Sequence, residues 1–396
     1  MPTPSAPISE NRLRDKPRHQ PELDGIRGLA ILAVLLSHAA NQLDVLPHHM
    51  PHPAWTPIVA FLLVPGWGGV DLFFTLSGFL ITGILLRART RRTYFSSFYA
   101  RRVLRIFPIY YLFLTLNLFA AHVWPSFAAE LPPTTTARVS YFLYLQNWPV
   151  FWPSWAGLTG LWGAYWSLAV EEQFYLIWPT IVRFLSVSAL LGICVAGFLL
   201  GTPFRWWTIH HLTGMSIAAL QFPLSRLDGL FLGAACALYR EHRRKPVPLS
   251  WAAISFAAGA IMLLYIAIFH VRELVGINVH ITTFGVAGFA LMSTGLVAAS
   301  QHPVPWLHRF LTLRPLIVAG RYSYGMYVYH SAVYFGISCL ARRISPATNG
   351  EFTMLPALLW MAAAILASTA IAALSFHFFE QPFLRLKRFF PSPSAV

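Results

Sequence analysis

Leu23-Asp-Gly-Ile-Arg27-Gly-Leu-Ala-Ile-Leu-Ala-Val-Leu-Leu-Ser-His38, which runs on to Leu46, is the stretch whose reading decides the fold. It is apolar enough to enter a bilayer, yet it carries Asp24, Arg27 and His38. Ionisable groups inside a membrane are costly and point to function by default. On an α-helix Arg27 and His38 are almost three whole turns apart. They point the same way within roughly 20° and stand about 16 Å apart along the axis. An arginine at the membrane edge can hold a phosphorylated group, and a histidine deeper on the same stripe can move a proton. A helix that tucks polar groups into bundle contacts is the plainer alternative.

Of the 396 residues, 56% are hydrophobic and 11% are charged, against about 25% charged in a soluble protein. Apolar runs of spanning length recur from end to end and predict an all-α, polytopic integral membrane bundle of about ten transmembrane helices. They fall near 24–46, 66–86, 103–122, 162–182, 184–200, 221–239, 249–270, 281–300, 322–341 and 355–379. The pair around Arg183 also reads as one broken helix. Residues 1–22 read as a disordered tail, 23–384 as the membrane domain and 385–396 as a short basic tail.

The net charge of +15 raises the question of nucleic acid. The basic residues cluster between alternate apolar runs instead, as the positive-inside rule requires. Only Arg138, Arg205, Arg272, Arg342 and Arg343 fall on the outer side. Both termini are therefore expected in the cytoplasm and the chain in the inner membrane. Cys194, Cys236 and Cys339 show neither metal spacing nor a disulfide framework. His48, His49 and His52, in a proline-rich loop, give no rigid ligand geometry, so no metal is expected. Tyr141–Trp155 is too short to span and reads as an interfacial or re-entrant piece. Its Trp148, Trp152 and Trp155 suit either a membrane belt or a sugar face.

Further polar groups sit where lipid penalises them. Asp71, Thr75, Gly78 and Thr82 share one face of the second span, beside Ser77. Helix packing accounts for the small residues but poorly for Asp71. Arg102 and Arg105, three residues apart at the entry to the third span, suit phosphate. Glu171 and Glu172 open the fourth, and a carboxylate within reach of His38 would hold its imidazole tautomer. Arg226 and Asp228 read as pairing with each other or with a neighbouring span, and His330 and Glu380 are left unplaced.

These runs together resemble the membrane acyltransferase-3 superfamily over about Leu23–Phe383. They are Leu23 to His38, Phe73-Phe-Thr-Leu-Ser-Gly-Phe-Leu-Ile-Thr, Arg101-Arg-Val-Leu-Arg-Ile-Phe-Pro, and Trp166-Ser-Leu-Ala-Val-Glu-Glu-Gln-Phe-Tyr. Arg226-Leu-Asp-Gly, Tyr324 to His330 and Glu380-Gln-Pro follow. The resemblance implies an acyl-CoA co-substrate, no bound cofactor, and a carbohydrate or glycolipid acceptor. It implies His38 as catalytic histidine, Arg27 as its partner arginine, and Arg102 and Arg105 as donor-binding residues. Glu171 joins the catalytic set; Asp24, Asp71, Ser77 and His330 join the substrate- and donor-binding set. Many members add a soluble domain, but this sequence runs only 14 residues past Pro382, so transfer is expected from the membrane part alone. A transporter using the same polar residues and a non-catalytic scaffold are the competing readings.

Overall fold

In hydrocarbon every backbone N–H and C=O must find a partner within the chain, and a helix satisfies them inside one segment. The computed structural model describes residues 20–42, 66, 68–148, 160–213, 216–269, 279–344 and 354–390, and among them there is no strand. His48, His49, His52, Trp152, Trp155 and nearly all of the N-terminal tail lie outside the described residues.

The main helices are α1 (Pro21–Gln42), α2 (Gly69–Ala88), α3 (Tyr94–Val123), α4 (Thr135–Phe142), α5 (Trp166–Phe184) and α6 (Val187–Trp207). They continue as α7 (Asp228–Arg243), α8 (Leu249–Phe269), α9 (Val286–Ala299), α10 (Arg314–Ile344) and α11 (Met354–Ser375). All but the short α4 match an apolar run of the sequence. Seven are long and apolar enough, with their flanking turns, to cross a membrane. Besides the short α4, three fall short, α5, α7 and α10, and they explain why hydropathy and helix count differ. Helix α5 carries Glu171, Glu172 and Arg183, α7 has 16 residues, and α10 is laced with tyrosine and arginine. Each turns a long buried face to its neighbours, so it needs less apolar surface of its own.

Around Arg183 the chain forms two helices. Leu185 is extended, and the Ser186 hydroxyl accepts the Ala189 N–H at 3.2 Å, capping α6. The boundary expected at residue 385 is no break either: Gln381–Arg385 and Leu386–Phe389 continue as helical turns.

The basic loops gather on one end of the bundle. His308 meets Glu22 at 2.7 Å, Arg87 meets Glu241 at 2.5 Å, and Arg89 donates to the Leu185 carbonyl at 2.6 Å. Arg205 departs from the sequence reading. It lies not in an outer loop but fully buried near the end of α6, which runs past the expected limit at 200. Its guanidinium binds Asp228 Oδ2 at 2.5 Å and the carbonyls of Ser225 and Thr283.

Two contacts between backbones set the packing. Helix α1 lies along α10, and α2 along α7. A methyl group on Gly233 would sit 1.9 Å from the Thr75 carbonyl oxygen, and one on Gly78 2.0 Å from that of Leu230. Only glycine permits this approach. Gly233→Ala is therefore expected to reduce the folded, monodisperse fraction on size-exclusion chromatography. Gly192→Ala, with nothing within 4 Å, should leave it unchanged. Asp228→Leu, which strands Arg205, should destabilise by about 3–5 kcal/mol. The Arg205→Leu/Asp228→Leu double variant should recover most of that in thermal unfolding.

Candidate active site

A cavity of about 360 Å³ enters between α2, α3, α5 and α10. Five cationic side chains line it: Arg27, Arg101, Arg102, Arg105 and Lys387. Glu171 and Glu172 are the carboxylates in its wall. Arg27 holds Asp24 at 2.7 Å, one turn back on α1. Arg102 stacks over the Tyr175 ring at 4.6 Å, and Arg105 has Glu380 beside it. Ser77 and Tyr175 share a short hydroxyl contact, and Glu171 lies against both and against Arg102.

Ser323, Tyr324 and Tyr327 of α10 supply another wall. Tyr324 donates to the Ile106 carbonyl at 2.8 Å. The Tyr327 hydroxyl reaches the Ala164 carbonyl at 2.7 Å and Ser167 Oγ at 2.5 Å. These bonds fix the tyrosines across the gap between α3, α5 and α10.

One helical turn beyond Tyr327 stands His330, fully buried. Its Nε2 is 2.7 Å from His38 Nδ1, and its Nδ1 is 2.6 Å from the Tyr327 carbonyl oxygen. The two imidazole planes differ by 11° with centroids 4.9 Å apart. At that separation, with the nitrogens in contact, the rings meet edge to edge in one plane rather than face to face. A carbonyl only accepts, so His330 Nδ1 carries a proton. In the neutral ring Nε2 then accepts, and His38 Nδ1 donates to it. The lone pair of His38 is left on Nε2, the atom turned away from His330.

The sequence expectations divide accordingly. Arg27, Arg102, Arg105, Ser77 and Glu171 face one cavity. His38 is near it but does not line it. Its partner is His330 rather than the carboxylate expected from sequence. Glu171 serves the Arg102–Tyr175–Ser77 group instead, because it projects from α5 toward α2 and α3. Asp71 is also outside the cavity wall. It pairs with Arg226 at 3.1 Å, both buried, behind Phe74 and Trp166. Arg226 and Asp228 therefore pair with neighbouring helices and not with each other. Sequence reasoning missed Lys387, read as tail, and gave Tyr175 no role although it closes the Trp166–Tyr175 run.

Comparison with known proteins agrees with the motif order. The family model described as an acyltransferase domain, acyltransferase-3, matches residues 20–377. The peptidoglycan O-acetyltransferase OatA of Listeria monocytogenes serovar 1/2a is 29% identical over 384 residues, 92% of this chain and 56% of that protein. The O-acetyltransferase OatA of Staphylococcus aureus (strain NCTC 8325 / PS 47) is 25% identical over 397 residues, 94% of this chain and 58% of its own. The chain thus spans less than two thirds of the length of these curated relatives. No solved structure matches. A family match that runs from the start of α1 into the turn after α11 takes in every helix of the cavity, and the chain belongs to the acyltransferase-3 family.

Proposed function

We propose that this chain is an integral membrane O-acyltransferase. It moves an acyl group, acetyl by default, from acyl-CoA to a hydroxyl of a sugar or glycan acceptor. The observation that carries this reading is the guanidinium-lined cavity whose wall residue Tyr327 is joined through His330 to His38, fixing the His38 lone pair on Nε2. The relatives' names, peptidoglycan O-acetyltransferase and O-acetyltransferase, support the reaction class. The gathered basic loops support a cytoplasmic position for the cavity mouth in the inner membrane.

Arginine forks suit phosphate, so Arg102 and Arg105 take the donor's phosphates, with Arg27 at the foot of the stripe that leads to His38. The axial distance along that stripe, about 16 Å, suits an extended pantetheine arm. His38 Nε2 accepts the proton of the acceptor hydroxyl as its oxygen attacks the thioester carbonyl. The carbon–sulfur bond then breaks, and the thiolate of CoA takes the proton back from the imidazolium. His330 is the positioning residue. By accepting from His38 Nδ1 it keeps the lone pair on Nε2. It takes up part of the imidazolium charge through the Tyr327 carbonyl. An acyl-histidine relay would use the same Nε2.

Purified protein with labelled acetyl-CoA and a glycan acceptor should yield acylated product. Absence of product in the unaltered chain would favour the transporter reading. His38→Ala is expected to lower kcat by about 10²–10⁴-fold; full transfer by that variant would overturn the mechanism. Arg102→Ala should raise KM for acetyl-CoA by about tenfold or more. His330→Ala should lower kcat, expressed per folded, monodisperse molecule, while leaving that KM unchanged.

A further inference from the structure

The turn Leu386–Phe389 follows α11 and lies across α3 at the basic end of the bundle. Arg101 pins it there. Its Nη1 donates to the Lys387 carbonyl at 3.0 Å and to the Phe390 carbonyl at 2.9 Å. A guanidinium on the last carbonyls of a helical turn is a capping arrangement. It fixes the backbone from which Lys387 extends, and that side chain lines the cavity. The charged groups beside the Lys387 ammonium are Arg101, Arg102 and Arg105. No carboxylate forms an ion pair with it among the described residues.

Like charges gathered in a partly enclosed cavity repel, and a partly buried ammonium needs an anion. Elsewhere the same chain pairs its arginines closely: Arg205 with Asp228, Arg226 with Asp71, Arg27 with Asp24. Lys387 has no such partner among the described residues, and it is held in place by an arginine spent on backbone carbonyls.

We propose that Lys387 is a phosphate-binding residue for the nucleotide end of the acyl donor, and that Arg101 is the positioning residue that presents it. The C-terminal turn is then a strap that completes the donor site. This rests on the donor being a CoA thioester. Arg102 and Arg105 face the cavity from α3, and Lys387 faces it from the strap. A phosphate between them would be gripped from two elements.

The test is CoA binding by the purified full chain in phospholipid-free detergent micelles and in nanodiscs containing phosphatidylglycerol. In micelles Lys387→Ala is expected to weaken CoA binding about tenfold, while Lys387→Arg keeps it within about twofold. Arg101→Ala, with Lys387 intact but its strap released, should weaken CoA in the same direction. An unchanged Kd for Lys387→Ala overturns the proposal, as does an equal loss for Ala and Arg, which would report packing and not charge. A loss seen only in the nanodiscs also overturns it, since the anion would then be a lipid headgroup. If the unaltered chain binds no CoA, it is the donor reading itself that fails.

Discussion

A charge inside an apolar bundle must be neutralised, and this requirement organises the molecule. Breaking a buried pair is more costly than never having had one. Around α2, α6 and α7 the requirement is met by two pairs, Arg205–Asp228 and Arg226–Asp71, each almost wholly shielded from solvent. These pairs fix the helices relative to one another and leave no net charge behind. The cavity is built by the opposite rule. Five cations face two wall carboxylates, and even with Asp24 and Glu380 behind them the lysine on the strap stands without a carboxylate. The contrast separates the charges that hold the fold from those left available to a ligand.

Much of this was legible in the sequence, and the failures have a common cause. The helices follow from apolar runs, and the chemistry-bearing residues follow from the cost of charge in lipid. Arg27, Arg102, Arg105, Ser77 and Glu171 were singled out on that ground, and the fold brings them to one cavity. Lateral neighbours were not legible. His330 is 292 residues from His38, and no spacing rule spans that distance. Glu171 was considered as a carboxylate for His38 only on the condition that the two come within reach. Which face of α5 meets which helix is decided by packing. Arg205 was read as a loop residue because hydropathy falls before the helix ends. Lys387 was read as tail because a short basic segment gives no sign of folding back.

The histidine pair depends on how closely two helices approach. Gly28 of α1 and Gly320 of α10 let those backbones touch: a methyl group at Gly320 would lie 1.9 Å from the Asp24 carbonyl oxygen. Further along, Tyr334 donates to the Leu35 carbonyl at 3.0 Å, tying the same helices beyond His330. Between these points the rotation and height of α10 against α1 are fixed. The edge-to-edge meeting of the imidazoles is a consequence of that register, not of any attraction strong enough to create it. Small residues in the first helix therefore act on the histidine from more than two turns away.

Tyr327 joins the two halves of the site. Its side chain lines the cavity and is held by Ser167 and the Ala164 carbonyl. Its own carbonyl accepts the hydrogen bond of His330 Nδ1–H and so decides which nitrogen of His38 is free. A ligand that displaced the tyrosine ring would strain the turn of α10 whose carbonyl sets the tautomer. In the proposed reaction, occupation of the cavity and basicity at His38 are then not independent, because one residue serves both through different atoms. That coupling needs both halves of Tyr327: the ring that faces the cavity and the carbonyl aligned on His330 Nδ1.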